Sequence, residues 1–355
     1  MSNSDRGGSP VSFSCPSPVP KGEVIVLGHG SGGRLTAELV SRVFLPAFSN
    51  PLLDRLNDSA EVKVGASRVL FTTDAFVVNP LRYPGGDIGS LAVNGTVNDL
   101  AVAGGQPIGL SAAFILEEGF PIAELEAIAQ SMRTAADRAG VAVIAADTKV
   151  VEHGKADGLF ITTSGIGVVA GSIELGPERI QVGDAVLVSG PIGDHGIAVM
   201  SAREGLAFQT TIVSDSAPLN GLVSLMLESG GALRCMRDPT RGGVATVINE
   251  VAKGSGVEIV IEETLVPVRS GVRAACEILG LDSLYVACEG RLVAIVDAAD
   301  TAKVLAAMRR HPLGRDSCRI GTVTGSGAPR VLLRTAFGTT RPLDVLAGMQ
   351  LPRIC

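Results

Sequence analysis

Tryptophan is absent from the 355-residue chain, and only two tyrosines and ten phenylalanines occur. Packing therefore falls to Val, Ile, Leu and Ala. The six cysteines (Cys15, Cys235, Cys276, Cys288, Cys318, Cys355) include no C-x-x-C pair and are too sparse for a disulfide scaffold. With only four scattered histidines, a thiolate or imidazole zinc site has no support either. No apolar run reaches the roughly 18 residues of a membrane span, and the Ser/Pro/Gly-rich first 20 residues lack the apolar core of a signal peptide. Formal charge is −6 without a long basic run, which argues against nucleic acid; Arg309-Arg310-His311 reads as a helix C-terminus. These absences predict a reduced, soluble, cytoplasmic protein.

What is present is length, glycine and aliphatic residues. The chain is too long for one ordinary core, so two domains are expected. Hydrophobic residues make up 46% and glycines number 44, suiting strands and helices joined by tight turns. Residues 1–20 are predicted to be a disordered leader. Strands are expected over Glu23–Leu27, Val62–Val64, Val69–Thr73, Gly109–Leu116, Val141–Ala145 and Gly158–Val168. Helices are expected at 34–44, from Asp87 to Ala103, and from Pro121 to Gly140, where Ile122, Leu125, Ile128, Ala129 and Met132 share one side. A glycine- and proline-bearing link at 170–183 ends a first domain of 21–169. The second domain, 170–341, alternates strands near 185–189, 257–262, 284–287, 291–296, 319–323 and 330–334 with helices after Asp194 and at 216–228, 243–253, 270–279 and 300–310. Strand pairs at 62–73 and 284–296 imply antiparallel or mixed sheets covered by helices. The fold class is α+β, with a mobile tail over 342–355.

Gly28-x-Gly30-x-x-Gly33, with Gly32 inside it, formally matches a dinucleotide-binding run. That reading needs a second parallel strand soon after the helix, and Pro46, Asn50, Pro51 and Asn57-Asp58 break the stretch instead. A loop whose backbone N–H groups meet phosphate is favoured, and a plain strand-to-helix turn remains open. His29 within the loop is the one histidine placed near a nucleotide; His153 and His195 read as loop polarity. Cys276 and Cys288 read as buried small hydrophobes.

Five aspartates lie at predicted strand ends, loops or apolar helices: Asp58, Asp74, Asp99, Asp147 and Asp238. Any one alone reads as a turn or cap residue. Together, each within two residues of Gly, Thr or Asn, they favour a Mg2+–nucleotide site, because buried carboxylates are costly unless paired or metal-bound. Arg241 and the Gly242-Gly243 helix start add positive potential for phosphates.

The chain ends in Leu351-Pro352-Arg353-Ile354-Cys355. Alone, Cys355 reads as an exposed free thiol. With Phe71-Thr72-Thr73-Asp74, Pro84-Gly85-Gly86-Asp87-Ile88-Gly89, Gly95-Thr96-Val97-Asn98-Asp99, Asp147-Thr148-Lys149-Val150-Val151 and Asp238-Pro239-Thr240-Arg241-Gly242-Gly243, the ending resembles the HypE family of hydrogenase maturation proteins. That family lies within the PurM-like superfamily of aminoimidazole ribonucleotide synthetase and selenophosphate synthetase. The resemblance runs in order from about Gly28 to Cys355; the Ser/Pro-rich leader is the departure.

The resemblance implies that Cys355 is itself the substrate. A HypF carbamoyltransferase loads a carbamoyl group on its sulfur, ATP-dependent dehydration yields an S-cyano group, and the nitrile passes to iron through a HypC–HypD complex. It implies Glu289 as base and Lys149 as an orienting or charge-stabilising group. It also implies ATP contacts through Gly30, Gly32, Gly33, Asn98, Thr148, Arg241 and Gly242, with Mg2+ on the five aspartates, and a homodimer joined through N-terminal sheets. Strands 62–73 and 109–116 are apolar enough for such an interface. About 14 tail residues, at roughly 3.3–3.6 Å each, can reach on the order of 45 Å. Two rivals stand: a small-molecule kinase or synthetase such as thiamine-phosphate kinase or selenophosphate synthetase, and a metal-carrying scaffold binding iron or nickel through Cys355.

Overall fold

A computed structural model describes residues 24–171, 173–205, 212–346, 351 and 353–355. The expected leader over 1–20 lies outside the described residues, as do 347–350 and 352 of the tail. No strand forms over residues 24–27; a 3-10 turn occupies Leu27–Gly30 instead. The helix expected at 34–44 is split into α1 (Arg34–Leu39), a π turn at Val40–Phe44, and α2 (Leu45–Phe48).

The first half then runs β1 (Ala60–Val64), β2 (Ser67–Phe76), a short hairpin of β3 (Arg82–Tyr83) and β4 (Gly86–Asp87), α3 (Ile88–Val102), β5 (Gly105–Glu117), α4 (Ile122–Ala139), β6 (Ala142–Val151) and β7 (Leu159–Val169). Its main sheet has the order β1-β2-β7-β5-β6, antiparallel except between β5 and β6. Helix α3 starts where the Asp87 carboxylate accepts the Ser90 N–H at 2.8 Å, an N-cap that satisfies an orphan donor. Rich in small and apolar residues, α3 is buried over nearly its whole length, as a mostly apolar helix is. It lies on one face of the sheet, and α4 covers it through Ile128 and Met132. Gly89 allows this approach, because a Cβ there would come within 2.6 Å of the Ile128 carbonyl.

Among the described residues nothing covers the opposite face of that sheet, which is bare. Phe71, Ile108 and Ile115 are exposed on it, and edge strand β6 is open to solvent, with Val143, Ile144 and Val150 among its exposed residues.

The second half contains β8 (Ala185–Val188), α5 (Asp194–Glu204), α6 (Asn220–Glu228), β9 (Leu233–Arg237), α7 (Gly243–Ser255), β10 (Val257–Glu262), α8 (Ser270–Leu279), β11 (Val293–Val296), α9 (Thr301–Met308), β12 (Cys318–Ser326), β13 (Arg330–Arg334) and β14 (Thr340–Pro342). The sheet order is β14-β13-β10-β12-β8-β11-β9. Its central strands β8 and β11 are buried at every residue, because α7 packs on one face and α6 with α9 on the other. Strands covered on both faces read as continuous apolar runs rather than alternations.

Two expectations fail here. Residues 284–287 form no strand; Ser283–Tyr285 is a 3-10 turn, and the Cys288 N–H leaves the sheet to meet the Pro239 carbonyl at 3.0 Å. Strand β9 was not expected, and β14 extends the sheet into the segment read as tail. Among the described residues no helix is long and apolar enough to cross a membrane.

Candidate active site

Three carboxylates converge between the halves. Asp58 precedes β1, Asp99 projects from buried α3, and Asp238 follows β9; a ligand oxygen from each lies within 4.8 Å of the others. Asp74, on β2, faces the same group: the Asp74 charge is among those that push Asp58, Asp99 and Asp238 upward. Burial is the main cause at each site. It moves Asp58 up to about 6, and holds Asp99 and Asp238 well above the ordinary range. Crowded carboxylates short of counter-charge disfavour ionisation in this way. The hydroxyl of Thr72 donates to Asp99 at 2.7 Å and orients it, while Arg237 Nε lies 3.0 Å from Asp58. An all-oxygen set of this kind fits a hard divalent cation such as Mg2+.

Beside the carboxylates lies the glycine run. Gly32 takes φ of +77°, and a Cβ on it would come within 2.8 Å of the Arg241 side chain. Arg241 Nη1 donates to the Gly30 carbonyl at 3.4 Å. Gly242, at φ +78°, caps α7 against the Thr246 hydroxyl, whose oxygen is buried without a partner. A guanidinium and an unpaired hydroxyl suit an anionic ligand. No strand precedes the run among the described residues, so the dinucleotide-fold reading does not hold.

The chain terminus closes this place from inside. The Cys355 carbonyl accepts from Val77 N–H at 3.1 Å, and the Arg353 carbonyl from Asn79 N–H at 3.3 Å, as a short strand would pair. Arg353 donates back to the Val77 carbonyl at 2.9 Å and pairs with Asp157 at 2.6 Å. Ile354 is buried, and Leu351 packs in the same cluster. A narrow cavity of about 20 Å³ beside the tail, lined by Ser31, Arg241, Thr246 and Ile354, has room for about one water.

Burial pushes the Cys355 thiol up to about 12, against the opposing pull of Arg241. Glu289, on the irregular segment before β11, is buried, and burial with the charges of Asp238 and Asp215 holds its carboxyl well above the usual range. Its Oε1 has no partner.

The remaining expected residues fall elsewhere. Asp147, Thr148 and Lys149 sit within exposed β6 rather than after it; Lys149 bonds Asp147 at 2.6 Å, and neither joins the carboxylate group of the same chain. Their register opposite Ala113, Phe114 and Ile115 puts Asp147 and Lys149 with Ile115 on the bare face. Asn98 is fully buried and fully used: its amide donates to the Ala217 and Glu289 carbonyls, and its oxygen accepts from Leu219 N–H. It braces the loop around Glu289 and offers no free group to a nucleotide, contrary to expectation. His29 bonds within its own turn. His195, read as loop polarity, is completely buried at the start of α5.

Sequence reasoning missed Asp194, Ser214, Asp215 and Arg291. The one available signal was Gly193-Asp194-His195, a charged pair after a glycine at the end of an apolar run.

Profiles for AIR synthase related proteins match twice, the N-terminal domain over residues 56–169 and the C-terminal domain over 181–334. A carbamoyl dehydratase HypE of Bradyrhizobium diazoefficiens is 56% identical over 330 residues, covering 93% of this chain and 95% of that one. A chain in a crystal structure of a HypE–HypF complex superposes with a TM-score of 0.83 at 48% identity, covering 87% of this chain and 99% of that one. A crystal structure of HypE in complex with ATP gives 0.79 at 45%, covering 92% and 98%.

Proposed function

The chain belongs to the carbamoyl dehydratase HypE family of AIR synthase related proteins, and from that premise we propose that it dehydrates an S-carbamoyl group on its own Cys355 to S-cyanate, at the expense of ATP. The observation that carries this reading is the docked tail. The Cys355 sulfur is buried beside Arg241 and Glu289.

An amide oxygen is a poor leaving group. The thiocarboxamide oxygen first takes the γ-phosphoryl of ATP, breaking the γ-P–O bond and releasing ADP; the amide loses one N–H proton. The C–O bond of the resulting phosphate ester then breaks as the second N–H proton leaves, giving S–C≡N and inorganic phosphate. The amide oxygen departs in that phosphate, so the net loss from the tail is one water. Glu289 takes a proton at its carboxylate: burial and like charge make it a stronger base than a free glutamate. Arg241 and the glycine loop hold phosphate oxygens. Asp58, Asp99 and Asp238, with Asp74 beside them, would hold Mg2+, which when bound neutralises charge on the transferring phosphoryl.

A docked thiol at about 12 is protonated at neutral pH and a poor nucleophile. Loading therefore takes place with the tail withdrawn, in the active site of HypF; the complex formed by a 48% identical HypE supports that partner. Discharge needs an acceptor that takes cyanide to iron, the role assigned to HypC–HypD. Lys149 lies on the bare face of its own sheet, so it serves the reaction across a homodimer, in the site of a second copy, with Asp147 and Thr148 beside it.

The test is the mass of the C-terminal peptide after incubation with HypF, carbamoyl phosphate and MgATP. A carbamoyl adduct that persists without ATP and loses one water with it is expected. ATP hydrolysis with Cys355 never modified would favour a small-molecule kinase of the same fold.

A further inference from the structure

Next to the tail lies a buried polar chain that the reaction scheme does not use. His195 Nε2 stands 2.8 Å from the Ile354 carbonyl and Nδ1 2.8 Å from the Ser214 hydroxyl. A carbonyl can only accept, so Nε2 carries the proton; in the neutral ring Nδ1 then accepts from Ser214. Burial lowers the pKa of His195 and keeps it neutral. Tyr83 fixes the ring from the side, edge to face at 5.3 Å and 89°. The next residue in the chain holds the other reactant: Asp215 Oδ1 accepts the backbone N–H of Glu289 at 3.0 Å.

The dipeptide is itself clamped. Ser214 N–H donates to the Pro84 carbonyl at 2.8 Å, Ser216 N–H donates to the Ser214 hydroxyl at 3.1 Å, and a Cβ on Gly290 would overlap the Asp215 carbonyl.

We propose that Ser214 and Asp215 are a positioning pair that sets the substrate sulfur against its base: Ser214 holds the tail through His195, and Asp215 holds the backbone of Glu289. The proposal rests on the dehydratase reading and adds residues to it. When the tail withdraws, the His195 N–H loses its acceptor in a buried place. An unpaired buried donor is costly, so the pair favours the docked tail and returns it in one register.

The test separates the two arms. Iodoacetamide labelling of Cys355 is followed on the Asp-N peptide beginning at Asp344, as a ratio to labelling of Cys235, buried away from the pair on β9, a ratio that general unfolding leaves unchanged. His195→Leu is expected to raise that ratio roughly tenfold, the equivalent of one buried hydrogen bond. Ser214→Ala raises it in the same direction. His195→Gln, which keeps a donor near Nε2, stays close to wild type. Asp215→Ala leaves the ratio alone but slows single-turnover loss of water from the carbamoylated tail, roughly tenfold or more, by releasing the Glu289 backbone. An unchanged ratio in both His195→Leu and Ser214→Ala overturns the tail arm. Normal turnover in Asp215→Ala overturns the base arm. Failure of the dehydratase reading looks different: wild-type protein would keep its carbamoyl group in MgATP while the labelling ratios stood.

Discussion

Cys355 and the aspartates illustrate how burial sets chemistry one residue at a time. The same burial that quiets the docked thiol raises the proton affinity of Glu289, because both prefer their protonated forms away from water. Glu289→Gln keeps the shape and removes the proton acceptor. Single-turnover dehydration should fall by roughly 10²-fold or more, with carbamoylated Cys355 accumulating in mass spectra and ATP affinity retained. The carboxylates also make stability depend on pH. Burial brings Asp58 and Asp194 up to about 6 from 3.8. The folded protein thus binds their protons more tightly than the unfolded chain does. Their stabilising contribution is complete below about pH 4 and disappears as pH rises through about 6. Asp99 and Asp238, also raised by burial, add to the same trend. In EDTA, the Tm should fall from about pH 5 to pH 7, and added Mg2+ should raise it more at pH 7, where the cluster is short of counter-charge. An equal Mg2+ effect at both values would argue against a cation on these aspartates.

The elements that sequence patterns identified are those whose burial is simple. Helix α3 was expected because a stretch rich in small and apolar residues runs between the Asp87 cap and Gly104, and α4 because its apolar stripe repeats at helical spacing. Strand β9 was missed because Leu233-Arg234-Cys235-Met236-Arg237 has no β-branched residue to mark it; its two arginines are held by Asp184 and Asp297 on one side and Asp58 and Glu250 on the other. Residues 284–287 carry strand-like side chains, but a Cβ on Gly243 would strike the Leu284 and Val286 carbonyls; their backbone is committed to the start of α7. The Asp58–Asp99–Asp238 group could be listed from sequence, whereas its separation from Asp147 depends on which way β6 faces. That face yields a prediction. Ile144→Asp combined with Ile115→Asp places charge on the bare face and should give a monomer in sedimentation, with unchanged circular dichroism. Mixing and refolding Lys149→Ala with Glu289→Gln, each inactive alone, should restore dehydration, because one site of each mixed dimer receives both groups intact. No recovery would mean that Lys149 does not act across the interface.

For the molecule as a whole, the tail must satisfy two opposed needs. On the proposed reaction it has to leave for carbamoylation and return for dehydration, so docking cannot be too strong. Among the described residues the end is held by the pairing of 353–355 with 77–79, the Arg203 bond to the Arg353 carbonyl at 2.7 Å, the Arg353–Asp157 pair, the His195 bond and the burial of Ile354. An exposed ion pair adds at most about 1 kcal/mol, which leaves the buried Ile354 side chain as the largest single adjustable contribution. Ile354→Ala removes about 2 kcal/mol or more of packing, on the order of a 30-fold shift toward the withdrawn tail. Loading by HypF should then proceed at least as fast as in wild type, since that step uses the withdrawn form. Dehydration should slow, and the carbamoylated species should build up in a time course that starts from unmodified protein. The opposite pattern, slow loading with normal dehydration, would mean that Ile354 is read by HypF rather than by the channel. The two rates move in opposite directions only if one docking equilibrium feeds both, which ties the terminal isoleucine to the order of the reaction.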